Sequence, residues 1–297
     1  LINDTFIVSV NTKKSIKEKL IFYIDSQHKD ILIGDLFKTL FLGVTSNREI
    51  SLISVQFGIN HLIAISGFHL GIILAIIYFI ITPFYKFFQK RYFPYRNRVV
   101  DILFLSTTLI IYYLFLIDFM PSFTRATIMF LISSILYTNG VKILSLTNLI
   151  FTVLLAIAIF PNLILSLSFW LSIIGVFYIF LFLKYFQHLS AIKMLLILNI
   201  YLFIIINPVI IYLFNQISIY QLLSPIISII FNVFYPVELF LHFIGRGDLL
   251  DRYLIEFFTI NKNIINYNIN YYVFILYVSI SIVSYRSKKV FYILLLL

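Results

Sequence analysis

Cysteine is absent from this 297-residue sequence, which excludes disulfides, iron–sulfur clusters and thiolate metal sites. Charge is scarce as well. Only 11% of the residues are Asp, Glu, Lys or Arg, against 62% hydrophobic, a balance that excludes an ordinary soluble globular domain. Also missing is the period-two alternation of a membrane barrel strand. In its place stand apolar windows about 20 residues long, enough for a helix to cross roughly 30 Å of hydrocarbon. The expected fold class is therefore all-α, a polytopic transmembrane helical bundle of about eight spans. What charge there is leans one way, with 22 Lys and Arg against 12 Asp and Glu and a net of +10. In a soluble protein that would point to nucleic acid, but cytoplasmic loops collect Lys and Arg anyway.

No signal-peptide pattern opens the chain, because Asp4 and "NTKKSIKEK" follow too soon after a short apolar stretch. The sequence begins with Leu1 and stops inside "FYILLLL" (291–297), a run too short to span, so it reads as truncated at its C-terminus. Two regions are expected. Residues 1–57 form an external amphipathic or interfacial segment, in which Ile16, Leu20, Tyr23 and Ile24 share a helical face and "ILIGDLFKTLFLG" (31–43) has a mixed character. Residues 58–297 form the membrane domain, with spans at 66–85, 99–117, 122–138, 144–160, 165–183, 194–213 and 270–285, and a broken or re-entrant run at 217–243 interrupted by Pro225 and Pro236. Pro121, Pro161 and Pro208 are expected near span ends.

Orientation follows from the loop "KFFQKRYFPYRNR" (86–98), whose Lys86, Lys90, Arg91, Arg96 and Arg98 mark it as cytoplasmic. Alternation then keeps Lys142, Lys184 and Lys193 inside, and Pro121 and Pro161 outside. A single crossing by 217–243 would put Arg286, Lys288 and Lys289 outside. A re-entrant pair puts them inside, as the charge rule prefers, with residues 245–267 on the external surface.

The stretch "HLIAISGFHLG" (61–71) lies at the external mouth of the first span. On a continuous helix His61, Ile65 and His69 share a stripe, Ser66 sits a turn before His69, and Gly67 and Gly71 leave a bare side for close approach. A metal site would need a third ligand and closer spacing, and no HExxH is present. "AISG" resembles the GxSG of rhomboid intramembrane proteases, with Ala64 in place of the first Gly, so an intramembrane serine hydrolase using Ser66 is one alternative. A small-solute transporter is another, expected to show inverted repeats with paired broken helices. The plainest reading makes Ser66 a helix-end residue and the histidines headgroup neighbours. Arg125, in "MPSFTRATIMF" (120–130), stands one turn inside the membrane from Pro121, where a guanidinium either snorkels or faces an anion such as phosphate. In "PNLILSLSFWLS" (161–172) the serines read as helix packing and Trp170 as an interface residue. Asp118, Glu238 and Glu256 read as solvated acids near span ends.

These residues resemble the ComEC competence proteins, inner-membrane channels for DNA uptake in natural transformation. The family pattern "G-D…G-x-x-H-L-x-A-I-S-G-x-H-x-G" is met by Gly34-Asp35, Gly58, His61-Leu62, Ala64-Ile65-Ser66-Gly67, His69 and Gly71. A Tyr-rich span ending in "P-x-x-R-A-x-x-M" is met by Tyr112-Tyr113, Pro121, Arg125-Ala126 and Met129, with one extra residue between Pro and Arg. Two looser blocks fall on Pro161 with Phe169-Trp170-Leu171-Ser172, and on Ser218, Leu222-Leu223 and Pro225 with Gln221 in place of Asn. The resemblance covers roughly residues 31–240 and implies a multi-pass protein of the bacterial cytoplasmic membrane that carries single-stranded DNA. His61, Ser66, Gly67, His69, Gly71, Pro121 and Arg125 would lie on the DNA path. Gly34, Asp35, Gly58, Ser172, Ser218 and Pro225 form a secondary set. No catalytic residue, metal or cofactor is implied: no HxHxDH signature of the family's nuclease domain occurs. Implied partners are membrane lipid, a DNA receptor, a cytoplasmic helicase or ATPase, a separate nuclease and further copies of the chain.

Overall fold

Residues 15–140, 145–260 and 263–296 are described by a computed structural model, which is 80% helical with almost no sheet. Lys142 falls outside these residues. Four helices open the chain, α1 (Ile16–Asp25), α2 (Ile31–Leu42), α3 (Arg48–Gln56) and α4 (Asn60–Ile63). The bundle follows with α5 (Gly67–Tyr92), α6 (Arg98–Leu116), α7 (Pro121–Thr138), α8 (Leu146–Ile159), α9 (Leu167–Phe186) and α10 (Ala191–Phe214). The last elements are α11 (Ser224–Phe243), α12 (Asp251–Phe258), α13 (Tyr271–Ser284) and α14 (Lys288–Leu296), and β1 (Gln216–Ile217) pairs antiparallel with β2 (Ile265–Asn266).

The helix starts are written locally. Ser15, Asp30, Asn47, Asn97, Ser145 and Asn270 each accept a first-turn N–H through the side chain, satisfying donors that a helix end otherwise leaves bare. α5, α6, α9, α10 and the run Ile219–Phe243 are long and apolar enough to cross a membrane, and α8 and α13 are apolar but shorter. α7 is less apolar because Ser122, Thr124, Arg125 and Thr127 are on it, all buried in the protein. Polar groups of a membrane helix belong on the inward side, where partners replace the missing water.

Contacts between helix ends give the direction of each element. Arg125, in the first turns of α7, reaches Ser172 in the first turns of α9 and stands beside Gly67 at the start of α5. Those three helices therefore begin at one end of the bundle. At the other end Lys184 donates to the Tyr285 carbonyl, so α9 and α13 finish together, and Arg286, Lys288 and Lys289 follow beside Lys184. The pairing of Gln216 with Asn266 puts both flanks of residues 217–265 at the end where α10 stops and α13 starts. The excursion thus leaves and returns on one side, the arrangement that keeps the last basic residues with Lys184.

The expected break inside 217–243 is not there. A 3-10 turn (Ile219–Leu223) leads into α11, which runs unbroken through Pro236. Pro225 sits in the first turn, where its missing N–H costs nothing. Pro236 is tolerated because the flanking turns are held by buried Phe231, Tyr235, Glu238 and His242. Pro208 likewise lies inside α10 rather than at its end.

The N-terminal helices lie at the Gly67 end, where Tyr113 on α6 donates to the Phe41 carbonyl (2.8 Å) and Lys17 pairs with Asp118 in the α6–α7 turn. α1 buries only Ile24. α2 differs from an interfacial strap: Ile33, Gly34, Leu36, Phe37 and Thr39–Leu42 are all buried, in a core shared with Phe231 and Tyr235 of α11. Its charged residues Asp35 and Lys38 pair with each other, and Lys38 with Asp25, and most of the remaining surface is apolar and packs inward.

Candidate functional site

The stretch 61–71 does not form one helix. α4 ends at Ile63, Ala64 and Ser66 are extended, and α5 begins at Gly67, so the His61–Ile65–His69 stripe does not form. The cause is local hydrogen bonding at Ser66. Its Oγ accepts the Phe68 N–H (3.3 Å), while its own N–H donates to His69 Nδ1 (3.2 Å). This is a capping box in which His69 takes the place of the usual Glu. With Nδ1 accepting, the ring proton of a neutral His69 is on Nε2, which is buried without a hydrogen-bond partner. The ring stands edge-on to Tyr235, 4.7 Å between centroids. His61, across the break, instead faces α11, with Nε2 3.4 Å from Ser228 Oγ.

Arg125 is 3% exposed. Its Nε donates to Ser172 Oγ (2.8 Å) and its Nη1 lies 3.7 Å from Met129 Sδ. Among the described residues no carboxylate pairs with it. Its Nη2 would lie 3.3 Å from a Cβ built on Gly67, and the Ala126 Cβ would lie 3.2 Å away. Glycine at 67 is therefore what lets α7 close on the first turn of α5. Pro121 opens α7, and Ser122 Oγ donates to the Ile65 carbonyl (2.6 Å), holding α7 to the helix break.

Gly67, Arg125 and Ser172 thus meet near the starts of α5, α7 and α9, while His69, two residues further along α5, turns to Phe231 and Tyr235 of α11. Helix N-termini carry partial positive charge, and an unpaired guanidinium adds a full one. The arrangement suits an anion with several acceptor oxygens. Ser172, expected as simple packing, is the partner that orients the guanidinium. Ser122 and Tyr235 were not singled out by the sequence. Ser122 directly follows Pro121 and was within reach of a local reading, whereas Tyr235 comes from a distant helix with no local mark.

The secondary set divides in two. Gly58 (φ +66°) turns the chain between α3 and α4, and its carbonyl accepts from Ser224 Oγ (3.0 Å). Gln221 donates to the Val55 carbonyl (3.1 Å), Ser218 caps the 3-10 turn, and Pro225 starts α11. This group anchors α11 on the α3–α4 turn. Gly34 and Asp35 are elsewhere, on α2, where Asp35 and Asp25 hold the Lys38 ammonium at 2.9 and 2.7 Å. Burial alone would lower the Lys38 pKa, but the two carboxylates outweigh it and raise it. Gly71 faces open space, with nothing within 4 Å of a Cβ built there. Of the three acids expected in solvent, Asp118 and Glu256 are exposed, whereas the Glu238 side chain is fully buried.

Ser66 is poorly arranged as a nucleophile. Its Oγ lies 3.3 Å from His69 Nδ1, but that nitrogen is already occupied by the Ser66 N–H, and no carboxylate orients the ring. Among the described residues no group of three or more His, Asp or Glu could hold a metal ion.

The family model described as "Competence protein" matches residues 45–294. An "Uncharacterized protein" of Aquifex aeolicus (strain VF5) is 27% identical over 188 residues, 62% of this chain and 42% of that protein, so the match spans less than half of the relative. No solved structure matches the chain significantly.

Proposed function

Because the chain belongs to the competence protein family, we propose that this multi-pass membrane protein passes single-stranded DNA from the external side of the bacterial cytoplasmic membrane inward. Arg125, His69, Ser66, Gly67 and Ser172 would sit at the entrance. The observation that carries this reading is Arg125, buried, with no carboxylate partner among the described residues, beside the first residue of α5 and held by Ser172 in the second turn of α9. A buried unpaired charge is costly, and an incoming phosphate would supply the missing partner. Basic residues at the opposite end, among them Lys184, Arg286, Lys288 and Lys289, fit a cytoplasmic exit. The reading assigns the chain no catalytic step. A DNA receptor, a helicase or ATPase and a nuclease would be separate proteins.

Transformation of strains carrying Arg125→Gln or His69→Ala, with membrane abundance matched, tests the reading. Internalised strand should fall about tenfold or more for Arg125→Gln, the loss expected of one charge-assisted contact, while DNA still binds the cell surface. Arg125→Lys should recover part of it, since an ammonium keeps the charge but loses the planar fork. Wild-type uptake by Arg125→Gln would overturn the reading.

A further inference from the structure

A second buried constellation lies outside that site, where the α1–α2 loop meets α11 and α12. His28 Nδ1 lies 2.9 and 3.0 Å from the two carboxylate oxygens of Asp251. His242 Nδ1 lies 2.8 Å from the Glu238 carbonyl oxygen and 3.3 Å from its carboxylate. The two Nε2 atoms face each other at 2.9 Å. Both histidine side chains are almost wholly buried, at 1% and 6% exposure. Gly247 closes over them: a Cβ there would be 2.7 Å from His242 Nε2.

Proton counting is decisive here. A carbonyl oxygen can only accept, so His242 Nδ1 carries a hydrogen, and a neutral His242 then has a bare lone pair at Nε2. If Asp251 is ionised, His28 Nδ1 also carries a hydrogen, and two bare nitrogens would meet at hydrogen-bonding distance. If Asp251 is protonated, it donates to His28 Nδ1 and frees His28 Nε2–H to donate. In either case Asp251, His28 and His242 together hold one proton more than a carboxylate and two neutral imidazoles. We propose that this cluster is a buried proton site, one proton shared between His28 and His242, that locks the α1–α2 loop onto α11 and α12. The separation is that of an N–H···N bond, and shorter than two nitrogens take on a tetrahedral zinc.

The other titratable groups packed around the pair are Tyr23, which donates to the His242 carbonyl, Tyr235 and Glu238 on α11, and Lys38, neutralised by Asp25 and Asp35; Asp30 caps α2, and Lys29, Arg246, Arg252, Tyr253 and Glu256 are exposed. Asp248, on a further 3-10 turn (Gly247–Leu250), is exposed. None supplies a donor between the two Nε2 atoms. Because the closed form binds the extra proton and the opened form does not, closure weakens as pH rises. With one proton released on opening, each further pH unit multiplies the opened population about tenfold.

The cysteine-free sequence provides a clean reporter. Ile24→Cys places a thiol in the buried core beside this cluster, and its maleimide labelling rate in the full-length purified chain, normalised to denatured protein at each pH, reads opening. The rate should rise about tenfold per unit above pH 7. In the His242→Gln background the amide donates a neutral N–H to His28, so the rise should vanish; His28→Gln makes the same prediction should the first variant fail to accumulate. His61→Gln should leave the rise intact. An equal rise with and without the histidine pair overturns the proposal. So does protection restored at pH 9 by micromolar zinc, which would make the shared cation a metal.

Discussion

Ser66 shows how one side chain decides between two chemistries. As an N-cap it satisfies the Phe68 N–H and, through the backbone, fixes the His69 tautomer. Ser66→Ala should lower stability by about 1 kcal/mol, as lost caps do, and Ser66→Asn should restore most of it. Thermal unfolding in detergent checks this. Uptake should follow stability across the two variants; a hydrolase would lose activity in both, and fluorophosphonate labelling of Ser66 would support that alternative. Gly67 has a different constraint. Its contacts with Ala126 and Arg125 leave no room for a branched side chain, so Gly67→Val should push α7 away from α5, costing on the order of 1–3 kcal/mol and abolishing uptake even with Arg125 intact. Residues of a rare type in an apolar run, such as Arg125 and His69, stood out in the sequence, and both are buried in the fold. Residue roles were illegible where chemistry depends on a partner far along the chain. Nothing near His28 announces His242, and Ser172 looks like any packing serine until Arg125 is brought to it.

Hydropathy outlined the bundle helices closely, since lipid demands long apolar runs with every backbone group paired. It misread two places for the same reason. Helical spacing carried across 61–69 suggested a His61–Ile65–His69 stripe that Ser66 interrupts by capping, although the span start at 66 agrees with α5, and prolines in 217–243 suggested an interruption that packing of Phe231, Tyr235 and His242 overrides. Local propensity is a weak prior against tertiary contacts. The position of α11 can be tested directly in the cysteine-free background. Gln216→Cys and Asn266→Cys face each other across the β1–β2 pair, where Cα separations suit a disulfide, and oxidation should cross-link them. Single cysteines at Phe243 and Tyr267, both exposed, should react with an impermeant maleimide from the same side of the membrane, and one at Lys288 from the other. Labelling of Phe243→Cys from the Lys288 side would mean that α11 crosses completely.

At the scale of the whole molecule the charge is lopsided. The net +10 is not gathered at the candidate entrance, where Arg125 is the charged group in the cluster. Lys86, Lys90 and Arg91 instead stand in the last turns of α5, and Arg96 and Arg98 where the chain enters α6, away from the N-terminal ends of α5, α7 and α9. This separates two kinds of polyanion contact by their salt dependence. For single-stranded nucleic acid the logarithm of affinity falls with that of salt concentration at a slope of about −0.7 per neutralised phosphate. A chain in nanodiscs open on both faces should therefore bind a labelled oligonucleotide with a steep slope, dominated by the basic end. Replacing the cations of that end (Lys86, Lys90, Arg91, Arg96, Arg98, Lys184, Arg286, Lys288 and Lys289) with Gln should remove most of that slope and leave a shallow remainder, one or two phosphates' worth. Arg125→Gln in that background should then cut the remainder by about 0.7, the share of a single phosphate contact. If the residual slope does not change with Arg125, the guanidinium is not touching phosphate, and its burial beside Ser172 and Gly67 serves the packing of α7 alone.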